Sequence, residues 1–275
     1  MASVRDLLRA GPDRSPLLPR IDPRGHPGTG GRRDAVRELD ATALRLASLQ
    51  DRLYAEHTRG VLVILQGMDT SGKSGAVKHV FRGVNPAGLS VAAFKQPTEE
   101  ERAHPFLWRI EQRLPGPGHI AIFDRSHYED VVVVRVHRLV PEEVWRGRYE
   151  EIAEFERRVV AGGTAIVKIY LHMSYEEQRR RLLARLDDPD KHWKFNEADI
   201  EERARWPEYM AAYEDAIARC HTDEAPWYIV PADRKWYRNW AVERLVVETL
   251  EELDPHYPRP PLDVEALRAR LTPPN

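Results

Sequence analysis

The chain has 275 residues, of which 42% are hydrophobic and 31% charged, enough for one sizeable α/β domain with its own core. Its formal net charge of −2 excludes a global positive field, which argues against a general nucleic-acid or membrane binder. The single cysteine, Cys220, excludes a disulfide within the chain and is expected to be a buried, inert thiol. No apolar stretch is long enough to span a bilayer, so we expect a cytoplasmic protein with no nucleic-acid and no membrane partner.

The first segment, residues 1 to 33, is predicted to be an extended arm, because residues 11 to 33 are dense in proline, glycine and arginine and lack an apolar period. Such an arm suits a place along the body or on a partner subunit. From Asp34 onwards, apolar residues recur at helical spacing as far as Leu53. We expect the main domain over residues 34 to 255 and a C-terminal tail over residues 256 to 275.

Five short apolar runs predict β-strands. They span residues 61–66, 89–94, 119–124, 164–172 and 225–232. The intervals between them are long enough for helical crossovers. The sequence therefore predicts an α/β fold, with a doubly wound parallel five-stranded sheet and flanking helices.

Three crossover segments carry more specific signals. The valine-rich run at 131–136 is ambiguous, but its place directly after a strand favours a helix. Ser174 and Glu177 form a capping-box pattern that starts a helix through Leu186. One long polar helix is predicted from about Glu197 to Cys220. We expect the part from about 174 to 200 to act as a lid.

The stretch GMDTSGKS fits the pattern of a phosphate-binding loop between a strand and a helix. Gly67 and Gly72 let backbone N–H groups turn towards phosphate oxygens, and Lys73 adds a positive charge. Ser74 offers a hydroxyl to Mg²⁺. The alternative is a chance glycine-rich turn, which the flanking strand and helix disfavour.

A second motif, FDRSHYED at 123–130, lies at the end of the third predicted strand. An acid at this strand tip, Asp124, is well placed to hold Mg²⁺, and Arg125 beside it can bind a transferring phosphoryl group. The alternative is an ordinary strand-end acid paired with an arginine.

A third cluster, QRRRLLARLDDPDKHWK at 178–194, is strongly basic. Arg181 and Arg185 lie one helical turn apart and share a face, and Lys191 and Lys194 follow a turn. Such a helix can close over phosphates as a lid and exclude water. The alternative is a solvated charged face.

Asp69 is unexpected inside a phosphate-binding loop, because a lone carboxylate would repel the ligand. A carboxylate that shares Mg²⁺ with Asp124 instead becomes part of a positive assembly. Asp69 is therefore interpreted as a metal ligand or as a general base near the acceptor. A carboxylate turned to solvent, or capping the loop backbone, is the alternative.

Taken together, GMDTSGKSG, FKQPTE, FDRSHYEDVVVVRVH, RLDDPDKHWKF and APWYIVPADRKWYRNW resemble the type-2 polyphosphate kinase family over residues 34 to 255. The resemblance implies a P-loop kinase core like that of thymidylate kinase and phosphoryl transfer between inorganic polyphosphate and a nucleotide. Position by position it implies five essential residues and a further phosphate contact at Lys95. The five are Asp69, Lys73, Asp124, Arg125 and Arg185.

The motif departs from the commonest family pattern, which reads Trp-Tyr-Asn-Arg where this chain has HYED at 127–130. That stretch resembles the subgroup that uses both nucleoside mono- and diphosphates, and the resemblance links Glu129 to monophosphate use. A helix N-terminal acid without a special role is the alternative for Glu129.

The resulting hypothesis is a kinase that reversibly transfers the terminal phosphoryl group of polyphosphate to AMP, ADP or both. Its expected metal is Mg²⁺, with Mn²⁺ as an alternative, and its expected acceptors are adenine nucleotides, with guanine nucleotides as an alternative. Lys73, Arg125, Arg181 and Arg185 would neutralise the phosphate oxygens. The resemblance also implies a homodimer or homotetramer. Two other hypotheses stay open, an ATP-dependent nucleoside or nucleotide kinase and a non-catalytic polyphosphate-binding protein.

Overall fold

The structure is a computed structural model that describes residues 2–11 and 18–271. Five parallel strands form one sheet in the order β2-β3-β1-β4-β5. They are β1 (Gly60–Gln66), β2 (Leu89–Ala93), β3 (Ile120–Asp124), β4 (Thr164–His172) and β5 (Trp227–Pro231). The five predicted strands and the predicted fold class are confirmed. Because the strand order reverses at β1, a ligand is expected beyond its carboxyl end.

Helices fill the crossovers between the strands. Within the described ranges they are α1 (Val4–Leu8), α2 (Arg32–Glu56), α3 (Lys73–Val80), α4 (Glu99–Arg102), α5 (Trp108–Glu111), α6 (Glu129–Val136), α7 (Glu142–Ala161), α8 (Tyr175–Leu186), α9 (Ala198–Ala204), α10 (Trp206–Cys220), α11 (Lys235–Leu253) and α12 (Val264–Leu271). Short 3-10 turns lie at Leu18–Arg20, Pro86–Gly88 and Pro189–Lys194. No helix in the described part of the chain is long and apolar enough to cross a membrane.

The core lies on the sheet, where every residue of β1 is buried, as its run of branched apolar side chains predicts. Helix α11 contacts both α2 and α3, and helices α6, α7 and α10 contact one another. Helix α11 and helix α7 each contact β4. The two helix groups therefore leave the carboxyl ends of β1 and β3 as the place where loops can gather polar side chains.

The N-terminal arm is not extended throughout its length. Ser3 caps α1 in a reciprocal capping box with Asp6, and Val4 and Leu8 are buried in the core. The Ala10 N–H then donates to the Trp227 carbonyl of β5 at 2.8 Å. Residues 12 to 17 of the predicted arm lie outside the described residues, and the predicted domain boundaries stay a prediction.

The crossover helices agree with the sequence in one case and differ in two. Residues 131–136 are helical, as favoured. The long polar helix predicted from about Glu197 is wrong, since α9 and α10 are separate: Pro207 in the first turn of α10 has no N–H to continue a helix from α9. The capping box at Ser174 is only half formed, because Ser174 accepts from the Glu177 N–H while the Glu177 carboxylate turns to arginines.

Candidate active site

The phosphate-binding loop, residues 67 to 72, joins the end of β1 to the start of α3. Gly67 and Gly72 have φ values of 144° and 101°, in the region that favours glycine. A Cβ on Gly67 would lie 2.9 Å from the Leu171 carbonyl oxygen, and one on Gly72 would overlap the Arg238 guanidinium. Both glycines are therefore required by backbone conformation and by close approach of neighbours.

Lys73 opens α3 and is buried over the loop. Its Nζ donates to the Gly67 carbonyl at 2.8 Å and reaches the Met68 carbonyl at 3.4 Å. The first N–H groups of α3 are free of intrahelical partners by the geometry of a helix start. Lys73 and this helix end thus put an ammonium group and backbone donors on one loop, which suits a phosphate.

Ser74 and Asp124 meet across the ends of two neighbouring strands. Leu65 of β1 lies opposite Asp124 of β3 in the parallel register. The Ser74 hydroxyl donates to Oδ2 of Asp124 at 2.7 Å. The structure therefore brings together the hydroxyl and the carboxylate that the sequence placed in two separate motifs.

Arg125 connects two acids at the mouth of the loop. Its Nη2 donates to Oδ1 of Asp69 at 2.6 Å, and its Nη1 lies 3.7 Å from Oε2 of Glu129. Arg125 has a φ of 67°, a strained conformation for a side chain of this size. The contacts with Asp69 and Glu129 hold the guanidinium between the loop and the start of α6, so the Asp69 carboxylate has a partner.

The two acids beside Arg125 differ in their proton affinity. Burial alone would raise the pKa of Asp69, but the charges of Lys73 and Arg125 outweigh it, so that pKa lies below its usual range. Burial raises the pKa of Glu129, and Arg125 and Lys73 offset this only in part. Asp69 is therefore the acid held as a carboxylate, which suits a metal ligand or a partner that orients Arg125.

The predicted lid places its arginines differently. Nη1 of Arg185 donates to the Lys194 carbonyl at 3.0 Å and to Oδ2 of Asp199 at 3.2 Å, and the side chain is partly exposed. The Arg185 charge helps to lower the pKa of Asp69, so it acts on the loop. Lys95 is exposed beyond β2. The structure brings Arg185 towards the site, and the phosphate contact of Lys95 stays a prediction.

Arg181 is not on the phosphate side as the sequence predicted. It is 7% exposed, and all five of its N–H donors are used inside the protein. The acceptors are the carboxylate of Glu177 and the carbonyls of Thr70, Ser71, Ala232 and Asp233. Arg181 therefore ties the loop after β1 to the loop after β5 and has no donor left for a phosphate. Periodicity identified the helix face but not which arginine turns inward.

Sequence reasoning also missed Arg238. This residue of α11 is buried against the loop, where its Nη1 donates to the Ser71 carbonyl at 3.3 Å. It lies within the stretch APWYIVPADRKWYRNW that carried part of the family resemblance, yet nothing local in that stretch distinguishes a buried arginine from an exposed one.

The donor set at the loop fits a hard divalent cation. Asp124, Ser74 and Asp69 offer oxygen atoms, which Mg²⁺ prefers, and Mg²⁺ in kinases is held by one or two carboxylates, water and substrate phosphate. Among the described residues no group of three or more His, Cys, Asp or Glu forms a full metal cage.

Comparison with known proteins identifies relatives along nearly the whole chain. A sequence model of the polyphosphate kinase 2 family matches residues 31–258. An AMP/ADP-polyphosphate phosphotransferase of Meiothermus ruber is 50% identical over 253 residues, 92% of this chain and 95% of the relative. An ADP-polyphosphate phosphotransferase of Rhodopseudomonas palustris is 45% identical over 78% of each chain.

A solved structure agrees with these sequence matches. The crystal structure of polyphosphate kinase 2 from Arthrobacter aurescens TC1 superimposes with a TM-score of 0.95 at 44% identity, covering 98% of this chain and 96% of that one. Phosphotransferases of this kind generally need a divalent metal. The loop, the strand-end acid and the fold occur together in this chain as the resemblance implied, and the chain belongs to the polyphosphate kinase 2 family.

Proposed function

We propose that this protein transfers the terminal phosphoryl group of inorganic polyphosphate to AMP and ADP, reversibly. The observation that carries the proposal is the set of charges at the carboxyl ends of β1 and β3. There Lys73 lies over the loop and Arg125 is fixed at 2.6 Å from Asp69. The names of the Meiothermus ruber and Rhodopseudomonas palustris relatives, both polyphosphate phosphotransferases, support polyphosphate as the donor.

The transfer moves one phosphoryl group between oxygens. An oxygen of the terminal phosphate of the nucleotide forms a bond to the terminal phosphorus of the chain. The bond from that phosphorus to its bridging oxygen breaks, and the shortened polyphosphate leaves with the electron pair. Because the transition state is loose, most of the catalysis comes from positioning and from charge stabilisation.

The side chains of this protein supply that charge. Lys73 and Arg125 neutralise the oxygens of the transferring group, and Asp69 keeps Arg125 oriented through their hydrogen bond. Arg185 adds a positive charge from the lid side of the loop. A divalent ion, which we propose to be Mg²⁺ with Mn²⁺ as the alternative, would be held by Asp124, Ser74 and Asp69 and would supply further positive charge.

The proposed use of both AMP and ADP rests on Glu129, which lies at the start of α6 within 3.7 Å of Arg125. Replacement Glu129→Gln keeps the shape and removes the charge. We expect about a tenfold lower kcat/KM for AMP and a much smaller change for ADP, a discrimination of the size that a single contact gives. Equal losses for both acceptors would remove the assigned role of Glu129.

The direct experiment omits ATP. Purified protein, Mg²⁺, long-chain polyphosphate and AMP are mixed, and ADP and ATP are followed by chromatography. ADP followed by ATP is the expected result. Lys73→Ala should abolish nearly all product, whereas Lys78→Ala, a matched control at an exposed position of the same helix, should not.

Three outcomes would contradict parts of the proposal. Product only when ADP is supplied would keep the polyphosphate donor and remove AMP as acceptor. Transfer that appears only when ATP replaces polyphosphate would favour the ATP-dependent kinase. Binding of polyphosphate without any transfer, in Mg²⁺ or Mn²⁺, would favour a non-catalytic binding protein.

Several finer properties belong to the same proposal. We propose adenine nucleotides as acceptors, with guanine nucleotides as the alternative, and competition between ADP and GDP tests this. We also propose a cytoplasmic homodimer or homotetramer, for which light scattering gives the mass. If removal of residues 1 to 30 leaves that mass unchanged, the arm has no part in assembly.

A further inference from the structure

Two buried arginines converge on one residue of the phosphate-binding loop. Arg181 comes from α8 and Arg238 from α11, and their exposed fractions are 7% and 3%. The Nη1 atoms of Arg181 and Arg238 donate to the carbonyl oxygen of Ser71 at 3.0 and 3.3 Å. Two guanidinium groups from distant parts of the chain thus share one acceptor in the loop that receives phosphate.

The charge of Arg181 is compensated within the chain. Its Nε donates to Oε1 of Glu177 at 2.7 Å, and its other donors reach carbonyl oxygens. A buried arginine with a carboxylate and a full set of acceptors is satisfied. Arg181 therefore needs no further partner.

The charge of Arg238 is not compensated in this way. Its Nε and Nη2 donate to the neutral amide oxygen of Asn239 at 3.1 and 2.7 Å. Within residues 2–11 and 18–271 no carboxylate forms an ion pair with it. Burial, and to a lesser extent the charge of Arg181, lower the pKa of Arg238 to about 10, so it remains charged at neutral pH. An unpaired buried charge is costly, which makes this arrangement unusual for a purely structural residue.

The guanidinium of Arg238 lies against the start of α3. A Cβ on Gly72 would be 1.7 Å from its Nη1, and a Cβ on Gly75 would be 3.1 Å from its Nη2. These glycines flank Lys73 and Ser74, whose helix end attracts anions. An anion held by the loop would therefore lie near the unpaired charge of Arg238.

We propose that Arg238 is a positioning residue of the phosphate-binding loop, whose unpaired buried charge behind Ser71 and Gly72 is balanced by the polyanion that the loop holds. The inference rests on the proposed function and deepens it, because it makes loop shape and anion binding depend on each other. Arg238 acts through the loop backbone and the local potential rather than by contact with the reacting atoms. Anion binding then offsets the repulsion between Arg238 and Arg181.

The test measures the midpoint of thermal unfolding with and without inorganic tripolyphosphate as the probe. Arg238→Met removes the charge and keeps an unbranched chain, and Arg238→Lys keeps the charge. Without the probe we expect Arg238→Met to unfold at or above the wild-type midpoint. With the probe its rise in midpoint should be less than half that of the wild type, while Arg238→Lys keeps most of the rise.

Steady-state kinetics give the second readout. In Arg238→Met the KM for polyphosphate should rise about tenfold, the size of a coupling between a buried charge and a nearby anion, with a small change in kcat. If tripolyphosphate raises the unfolding midpoint of Arg238→Met as much as that of the wild type, the inference is overturned. An equal fall in midpoint with and without the probe would also overturn it, because that result describes packing alone.

Glu177→Gln tests the same inference, because here the rise in midpoint caused by tripolyphosphate should become larger rather than smaller. It removes the carboxylate that compensates Arg181, so the charges of both buried arginines are left uncompensated. We expect a lower midpoint without tripolyphosphate and a larger rise with it than in the wild type. A rise no larger than the wild-type rise would contradict the inference.

The two levels of the proposal can fail separately. If wild-type protein transfers nothing from polyphosphate while the tripolyphosphate midpoints behave as expected, the proposed function is wrong and the role of Arg238 in anion binding stands. If transfer is observed and Arg238→Met keeps the full rise, the function stands and the role of Arg238 is wrong.

Discussion

One short stretch, FDRSHYED at 123–130, builds two regions of opposite character. Asp124, Arg125 and Glu129 face the phosphate-binding loop, where the charges are partly exposed. His127 and Tyr128 turn into the core and are fully buried. The side chains proposed for catalysis therefore lie on one face of this motif, and the side chains that support them lie on the other.

The charges of the buried region are paired within the chain. Lys168 of β4 pairs with Glu156 of α7, and its ammonium group donates to the Tyr128 hydroxyl at 3.1 Å and to the Cys220 carbonyl. The Tyr128 hydroxyl donates to Oε1 of Glu156 at 2.7 Å, and Nε2 of His127 lies 3.2 Å from the same atom. The charges in this buried region pair with one another, whereas the charges at the loop are partly exposed and can also meet a ligand.

The largest expected effect is a loss of turnover at the loop with little change in stability. Arg125→Ala should lower turnover about 10²- to 10⁴-fold, because a preorganised charge contact is lost. The unfolding midpoint should change much less than it does when a core ion pair is broken, because the contacts of Arg125 with Asp69 and Glu129 are partly exposed to solvent. Arg138→Ala is the matched control: Arg138 also has a positive φ, 53°, but lies exposed beyond the far end of α6. A comparable loss of turnover in Arg138→Ala would mean that the effect of Arg125→Ala does not come from its place at the loop.

The next largest effect is expected in the buried region, where a substitution should lower the free energy of unfolding and leave turnover unchanged. Lys168→Met leaves the buried Glu156 carboxylate without its ammonium partner, and breaking such a pair costs about 3–5 kcal/mol of unfolding free energy. Denaturant unfolding measures the loss, and turnover per folded molecule should stay near the wild-type value.

A double variant sharpens that result. Lys168→Met combined with Glu156→Gln removes both charges and should recover much of the lost free energy, because the penalty is the unpaired charge. A double variant as unstable as the single one would mean that the packing of Lys168, not its charge, holds the core.

A smaller effect depends on pH. Burial alone would raise the pKa of Glu156, but Lys168 and His127 outweigh it and hold that pKa below its ordinary value of 4.5. The folded-state pKa is depressed, so the ion pair contributes fully above pH 4.5 and its contribution is lost as pH falls through the folded-state value. The stability gap between wild type and Glu156→Gln should be constant at neutral pH and narrow in acid. A gap that widens below pH 4.5 would contradict the assigned charge state.

The smallest effect is expected for Ser126, which lies between the two regions of the motif. The Ser126 hydroxyl accepts from the Gln66 side chain at 3.1 Å and from the Tyr128 N–H at 3.2 Å. Ser126→Ala should lower the unfolding free energy by about 1 kcal/mol, the size of an ordinary buried hydrogen bond. If it instead reduces turnover strongly at unchanged stability, Ser126 belongs to the catalytic face.

The sequence predicted most completely those features that are local. The strand before Gly67 and the helix after Gly72 are read from neighbouring residues, and the spacing of Lys73 and Ser74 follows from the loop itself. The meeting of Ser74 with Asp124 needed only the rule that parallel strands share their carboxyl edge.

What the sequence did not predict depends on distant parts of the chain. Arg181 and Arg185 share a helix face, but only the positions of the loops after β1 and β5 decide that Arg181 turns inward. The break before α10 is different, because Pro207 was a local signal for it. The role of Arg238 required α11 to be placed against the loop.

The pairing of the arm with β5 also affects the tendency of the protein to aggregate. β5 lies at one edge of the sheet, and Arg9 forms an antiparallel bridge with Tyr228 while Ala10 donates to Trp227. An uncovered edge strand is a template for strand addition by another molecule. Arg9 and Ala10 therefore cover part of this edge, and we expect a protein shortened at its amino end to precipitate or form fibrils more readily than the whole chain.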